Sequence, residues 1–550
     1  MCINIEFLQL SGMEKIFLDS NYKNKKEIHD LTALKGERIS YQILYTTGRS
    51  CFKHPVKIRT ESDDEIELDL REVLNVPAQA PVKAGGCDDF YERTCPGLYP
   101  DILQPIKDNE IYANEYCHSL YVTCSIPEKM AAGIYPVKII FSYNEATVVK
   151  ILNIKVLDCV LPKQEITYTQ WFHTDCIADY YGFEVFSNEH WQMIEKFIAT
   201  AVKTGINMLL TPIFTPPLDT EIGYERTTVQ LVDVYFKNNT YTFGFEKLKK
   251  WIKICKKYGI EKFEIAHLFT QWGTGKTPKI VVETEKGKEK MFGWHTDALG
   301  AEYKTFLCTF LPELIRFLTS EGIYDNTYFH VSDEPEYKKD YNIYKAEYEL
   351  VSSIIPAEKI MDAMSDYRFC KEGLSKKPVV VTSAAEDFIN HGIKDIWVYY
   401  CCIPTDKFYS NRLLAMPLGR TRMMGMQMYK YNSDGFLHWA YNFYNNRLSK
   451  GAINPFMVTD AGEDFPAGDS FSVYPGENGP LESLRSEAFF MGLQDNSACR
   501  LLERYIGRDE TIKLIEYDGE ITFTKYPYSN DGIGEIRERI NRKLEEVIEK

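Results

Sequence analysis

Near residue 160 the hydrophobic pattern of this 550-residue chain changes period, and that change constrains the fold more than any other feature. Before it, short β-prone runs at 38–45, 56–60, 119–125 and 135–143 are separated by turns carrying Gly, Pro, Asn or Asp, with little helical periodicity. A late strand enters through 127–135 and another follows at 147–156. Such a segment can bury its apolar faces only by stacking sheets, which predicts an all-β sandwich.

After Leu161-Pro162-Lys163, a plausible linker, strands alternate with helices. Strands are expected at 166–173, 207–214, 263–271, 327–333, 359–364, 379–382, 396–401 and 435–441. Helices are expected between most of them, at 188–204, 245–258, 306–321, 341–353 and 413–426. In the first helix Trp191, Ile194, Phe197, Ile198 and Val202 share one face. Eight strands with intervening helices fit a (β/α)8, TIM-like barrel better than an open sheet. The run 379–382 is the shortest, and without it the barrel would be irregular. A closing helix is expected at 481–491. A final amphipathic helix carries Ile536, Ile540, Leu544 and Val547 at three- and four-residue steps, and is expected on the barrel exterior. The predicted organisation is multidomain: a β-sandwich over 1–160, a barrel over 165–495 and a C-terminal helical extension over 496–550.

Charge narrows the function. The net charge of −15 and pI near 5.3 oppose binding to nucleic acid or an anionic membrane. No apolar run is long enough to span a bilayer. The opening Met1-Cys2-Ile3-Asn4-Ile5-Glu6 lacks the marks of an export signal, and the fourteen cysteines have no zinc-type CxxC pairing. Unpatterned thiols in a large chain suggest a reduced, cytoplasmic protein, with Cys87 and Cys95 as one conceivable disulfide.

Chemistry concentrates at the predicted strand ends. Tyr328-Phe329-His330-Val331-Ser332-Asp333-Glu334-Pro335-Glu336 sets two adjacent carboxylates after an extended apolar run, and Pro335 cannot continue a sheet ladder. In parallel α/β folds the C-terminal strand tips gather the reactive groups. Other tips carry His173 and Asp175, Gln271 and Trp272, Tyr399 and Tyr400, and His438, Trp439, Tyr441 and Asn442; Trp294 is a further aromatic candidate. Polar donors around Trp and Tyr rings suit a sugar, whose hydroxyls need directional partners and whose C–H face needs an apolar platform. HExxH is absent, and Gly273-Thr274-Gly275-Lys276-Thr277 has one residue between its glycines where a phosphate loop has four. No metal, cofactor or phosphate site is expected.

His330-Val331-Ser332-Asp333-Glu334-Pro335, Gly435-Phe436-Leu437-His438-Trp439-Ala440-Tyr441-Asn442 and Tyr474-Pro475-Gly476-Glu477-Asn478-Gly479-Pro480 occur in that order, with Pro96-Gly97-Leu98-Tyr99-Pro100-Asp101 and Trp171-Phe172-His173 before them. Together they resemble the glycoside hydrolase family 123 β-N-acetylgalactosaminidases and the related DUF4091 proteins. The resemblance implies a sandwich followed by a catalytic barrel, and substrate-assisted hydrolysis. Glu334 would be the general acid and then base, while Asp333 would hold the 2-acetamido N–H as its oxygen attacks the anomeric carbon. Relatives acting on polymers and glycolipids are commonly exported. The absence of a signal peptide here therefore points to an imported oligosaccharide or glycoconjugate.

Two other readings remain open from sequence. One is a glycosidase pairing Glu334 with Asp175, Asp362 or Asp366. The other is a carbohydrate-binding protein without turnover. The sugar, its linkage and the oligomeric state are not encoded in these motifs.

Overall fold

A computed structural model describes residues 4–83, 86–273 and 275–548; Met1–Ile3 of the opening segment and Thr274 of the 273–277 loop lie outside them. Among the described residues ten strands come first: β1 (Glu6–Ser11), β2 (Asp30–Lys35), β3 (Arg38–Thr46), β4 (His54–Glu61), β5 (Glu67–Ala78), β6 (Gly97–Pro105), β7 (Glu110–Ala113), β8 (His118–Ser125), β9 (Gly133–Tyr143) and β10 (Ala146–Val160). Period-two burial decides their faces. In β4 Val56 and Ile58 point inward while Pro55, Lys57 and Arg59 stay outside. The strands form two five-stranded sheets, β1-β3-β8-β5-β6 and β2-β10-β9-β4-β7. Phe7, Ile43 and Val122 of one sheet share a core with Ile58, Phe141 and Ile154 of the other.

The second part begins with β11 (Thr167–Gln170), α1 (Thr174–Tyr181), α2 (Asn188–Lys203) and β12 (Met208–Thr211). It continues through β13 (Asp233–Lys237), β14 (Thr240–Gly244), α3 (Glu246–Tyr258), β15 (Lys262–Ile265), β16 (Ile280–Thr284), β17 (Gly287–Phe292), α4 (Ala301–Ser320), β18 (Thr327–Phe329) and α5 (Tyr337–Ser352). Then come β19 (Met361–Met364), α6 (Arg368–Lys371), β20 (Lys377–Val381), α7 (Thr382–Asn390), β21 (Trp397–Tyr399), α8 (Leu418–Lys430) and β22 (Gly435–His438).

Eight of these strands pair in the order β18-β15-β12-β11-β22-β21-β20-β19. Every register within this sheet is parallel. A single parallel bridge, Phe329 to Ile360, joins the two remaining edges into a nearly closed barrel. Its strands are short and almost wholly buried, mixing apolar residues with buried polar ones such as Thr169, Gln170, Glu264 and Asp362. Met208, Leu210, Ala266, Met361, Val379 and Leu437 meet in the interior. The short run around Val379 is a barrel strand, paired with both β19 and β21. In α2 the Ser187 side chain caps the first turn and Trp191, Ile194, Phe197 and Ile198 are buried, the face expected from periodicity.

One feature differs from the sequence expectation. A four-stranded sheet, β14-β13-β16-β17, stands between barrel strands where none was expected. Its strands carry an alternation that the sequence expectation passes over, as in Thr240-Tyr241-Thr242-Phe243, and they bury Val234, Ile280 and Val282, whereas Gly287-Lys288-Glu289-Lys290 is plainly polar. The last helix lies outside the barrel, as expected, between its outer helices and the N-terminal sheets. After β23 (Tyr474–Gly476), β24 (Gly479–Leu481), α9 (Leu484–Ile506) and α10 (Arg508–Ile515) comes α11 (Asn530–Ile548). Its Ile536, Ile540 and Leu544 pack with Met423 and Leu502 of α8 and α9, and with Leu34 and Leu157 of the N-terminal sheets. Among the described residues Cys87 and Cys95 are free thiols. No described helix is long and apolar enough to cross a membrane.

Candidate active site

Strand β18 ends at Phe329, but its backbone continues the ladder: Leu268 N–H donates to His330 O at 3.1 Å and Phe269 N–H to Val331 O at 3.0 Å. Trp272 N–H then takes Asp333 O at 2.8 Å. A regular strand would turn Asp333 and Glu334 to opposite faces. The chain instead reverses hand at Glu334, whose φ is +46°, before Pro335. Both carboxyl groups thereby reach one cavity of about 190 Å³ at the C-terminal mouth of the barrel.

Trp171, Trp272, Trp439 and Tyr399 supply aromatic wall to this cavity, and Asp219 and Arg447 supply charge. Tyr399 donates its phenol hydrogen to Glu334 Oε1. Trp439 is held by its indole N–H on Asp469 Oδ2 at 3.0 Å, and Trp272, 38% exposed, stands at the mouth with φ +55°. Flat faces around a carboxyl pair make a platform for a sugar ring with an acid beside it.

The electrostatics follow from burial and mutual repulsion. Asp333 is held well above the usual carboxylate range by burial and then by the charge of Glu334. Glu334 is raised by burial and partly restrained by the Tyr399 hydroxyl. Two anions cannot share so small a space, so the pair retains a proton. Asp219 is pushed up to about 6, mainly by burial.

Below the pair lies a buried network. His330 Nε2 meets Glu264 Oε2 at 2.9 Å and its Nδ1 faces Asp362 Oδ1 at 3.5 Å. Burial alone would lower this imidazole, but its two carboxylate neighbours raise it to about 9. Glu264 also accepts the indole N–H of Trp171 at 3.0 Å, so the network orients a cavity wall. Asp362 accepts Val331 N–H and Tyr344 O–H, each at 2.9 Å.

His267, His330 and Asp362 bring potential ligand atoms within 4.8 Å of one another. The two imidazoles stack with centroids 4.4 Å apart and planes 15° from parallel. Their in-plane lone pairs therefore do not converge on one ion, as a chelate would need.

The expected site residues fall into three groups. Asp333, Glu334, Trp272, Tyr399 and Trp439 meet in the cavity. His173, Asp175 and Asn442 form a buried support behind Trp439. Asp175 pairs with Arg226 through two contacts of 2.7 Å. Arg226 also donates to His173 Nδ1 at 2.9 Å, and His173 Nε2 reaches Trp439 O at 3.0 Å. Burial and the Arg226 charge lower His173 to about 3, so it stays neutral. Asn442 accepts from His173 N–H at 2.9 Å and donates back to His173 O at 3.0 Å.

Gln271 is buried and donates to Thr220 O at 2.9 Å. Trp294 donates to Tyr224 O at 2.9 Å, beside a separate small cavity. Tyr400 packs against Phe436 and His438, on the opposite side of β21 from Tyr399. His438 lies 3.4 Å from Asp469, and Tyr441 donates to Phe197 O at 3.2 Å. Of the alternative carboxylates, Asp362 is tied into the buried network and Asp366 is paired with Arg368.

Asp219, Arg447, Phe465, Cys401 and Cys402 also line the cavity and were not singled out by sequence. Asp219 sits in a loop after β12, where it accepts Leu448 N–H at 2.8 Å. The usable signal was only its place after a barrel strand, shared with every residue of that loop.

The fold and site can be set beside known proteins. The model of the glycoside hydrolase 123 catalytic domain matches residues 171–502. A family 123 glycoside hydrolase from Clostridium perfringens, studied for glycolipid glycan hydrolysis, superposes with a TM-score of 0.74 at 15% identity, covering 99% of both chains. A putative β-galactosidase from Bacteroides fragilis aligns with a TM-score of 0.32 at 10% identity, over 84% of this chain and 58% of that one. An endo-β-1,4-mannanase from Thermotoga petrophila gives 0.33 at 13%, over 61% and 78%. No curated protein sequence matches significantly. Because the family's catalytic-domain model covers more than half of its length, the chain belongs to glycoside hydrolase family 123.

Proposed function

We propose that the protein is a retaining, exo-acting β-N-acetylhexosaminidase with galactosamine preference, working through the substrate's own 2-acetamido group. The observation that carries this reading is the delivery of Asp333 and Glu334 together into a small aromatic cavity. A pocket of that size suits one terminal sugar ring. Glu334 protonates the glycosidic oxygen, and Asp333 accepts the acetamido N–H. The acetamido oxygen attacks the anomeric carbon to form an oxazolinium ion, and Glu334 then activates the water that opens it. An internal nucleophile held near its target replaces a protein carboxylate, while Asp333 stabilises the positive charge that develops.

Proton placement supports this division. Burial and the charge of Glu334 hold Asp333 high. An acetamide N–H donated to Asp333 favours its ionised form, and the pair's shared proton then belongs to Glu334. Binding of an N-acetyl sugar thus arms the acid. The test is a panel of aryl β-glycosides with and without the 2-acetamido group, assayed beside Glu334→Gln. Comparable hydrolysis of sugars with a free 2-hydroxyl would reject the reading.

One observation favours a second mechanism: Asp219 is a third carboxyl on the same cavity. A glycosidase pairing Glu334 with Asp219 would not need the acetamido group. Asp219→Asn should then abolish turnover on every substrate, whereas substrate assistance predicts only a partial loss.

A further inference from the structure

Cys401 and Cys402 follow β21 after Tyr400, and both line the cavity that contains Asp333 and Glu334. Their sulfurs lie 4.0 Å apart and both residues are partly exposed. The backbone around them is fixed from behind. Cys401 N–H donates to Ile403 O at 2.9 Å, and Asn411 donates to Cys401 O at 2.8 Å. Cys401 Sγ also lies 3.6 Å from Ile403 O. The proposed hydrolysis uses neither sulfur, yet both stand where a small molecule entering the cavity would meet them.

We propose that Cys401 and Cys402 are a modifiable dithiol on the substrate cavity, which low-molecular-weight disulfides convert reversibly into a vicinal disulfide. The Cys402 thiolate attacks one sulfur of the small disulfide, forming a mixed disulfide and releasing one thiolate. The Cys401 sulfur then attacks Cys402, and the second small thiol leaves. Two cysteine S–H bonds are lost, one S–S bond forms, and the small disulfide is reduced to two thiols. Contact with the neighbouring sulfur, and then burial, holds the Cys401 thiol up, which disfavours Cys401 as the first nucleophile.

Geometry makes the product labile. A disulfide needs sulfurs about 2.0 Å apart and usually spans Cα atoms about 4.4–6.8 Å apart. Adjacent residues joined by a trans peptide are held at about 3.8 Å. The closed ring is therefore strained and readily reduced, which suits a reversible modification. Closure also draws both sulfurs from their present positions in the cavity wall. The effect on catalysis rests on the glycosidase reading; the thiol chemistry does not.

The test treats the full-length protein with oxidised glutathione, blocks remaining thiols and maps peptides by mass, while following turnover of an aryl N-acetylgalactosaminide. The peptide carrying residues 401 and 402 should become two hydrogens lighter and resist alkylation, with turnover lost in step and restored by dithiothreitol. Cys401→Ser should instead retain glutathione on Cys402. Full alkylation of both cysteines, while exposed Cys51 or Cys308 takes up glutathione, would overturn the proposal. An adduct-free Cys402 in Cys401→Ser would do the same. A closed disulfide with unchanged turnover would remove the claimed effect on catalysis. Disulfide formation in a protein without glycosidase activity would reject the functional reading alone.

Discussion

The Tyr399 hydroxyl donates to Glu334 Oε1, joining the ends of two barrel strands that are not neighbours in the sheet. That contact favours the ionised form of Glu334 and opposes the effect of burial. Tyr399→Phe should therefore raise the Glu334 pKa further. The alkaline limb of the kcat/KM profile should move to higher pH, with turnover reduced about tenfold, as expected for a hydrogen bond to a charged group. An unmoved alkaline limb would separate Tyr399 from the acid.

Glu334→Gln should cut turnover by about 10²–10⁴, the usual range for a general acid-base. The loss should be greatest on substrates with poor leaving groups, which depend most on protonation. Steady-state rates on aryl glycosides of graded leaving-group pKa would check this. Equal losses across the series would count against the acid role.

Asp333→Asn should lower kcat by about 10²–10³, a loss typical of removing a group aimed at developing charge. KM should change little, because in the proposed mechanism the interaction strengthens as the oxazolinium forms. A raised KM with unchanged kcat would make Asp333 a binding residue only.

Asp175→Asn should act on stability rather than chemistry. It leaves Arg226 buried without its anionic partner, a loss of about 3–5 kcal/mol for a broken buried pair. Denaturant titration should register the loss, while kcat per folded molecule stays within a few-fold. A hundredfold fall in kcat at wild-type stability would return Asp175 to the catalytic candidates.

His330 makes stability depend on pH. Its folded pKa of about 9 exceeds the unfolded value near 6.5. The associated stability is complete below the unfolded value and declines as pH rises through the interval to about 9. The shift corresponds to about 3 kcal/mol at 1.36 kcal/mol per unit. His330→Gln should flatten this part of the stability profile, measured by denaturant unfolding at successive pH values. An identical slope in the variant would assign the effect elsewhere.

The barrel strands were legible because short β-prone runs alternate with amphipathic helices, and some, like the brief one at Val379, are continuous apolar runs. The Asp333-Glu334 pair was visible because Pro335 marks where a ladder must stop. The left-handed turn at Glu334 was not, since no Gly or Asn announces it. Asp175 and Arg226 lie 51 residues apart, and only folding brings that charge to the base it neutralises. Asp219 and Arg447 come from loops, whose residues carry no period to read. The hairpins β13–β14 and β16–β17 were missed although Tyr241 and Phe243 alternate with threonines and Val234, Ile280 and Val282 are buried, because strands inserted between barrel strands break the alternation of strand and helix that marks the barrel.

The positive φ of Glu334 also bears on how this protein can evolve. A non-glycine residue in that conformation costs on the order of 1–3 kcal/mol. Selection for thermal resilience alone would drift toward Gly or Asn there, yielding a sturdier scaffold without the carboxyl proposed as its acid. A stabilised lineage that keeps its glutamate must find robustness at other sites.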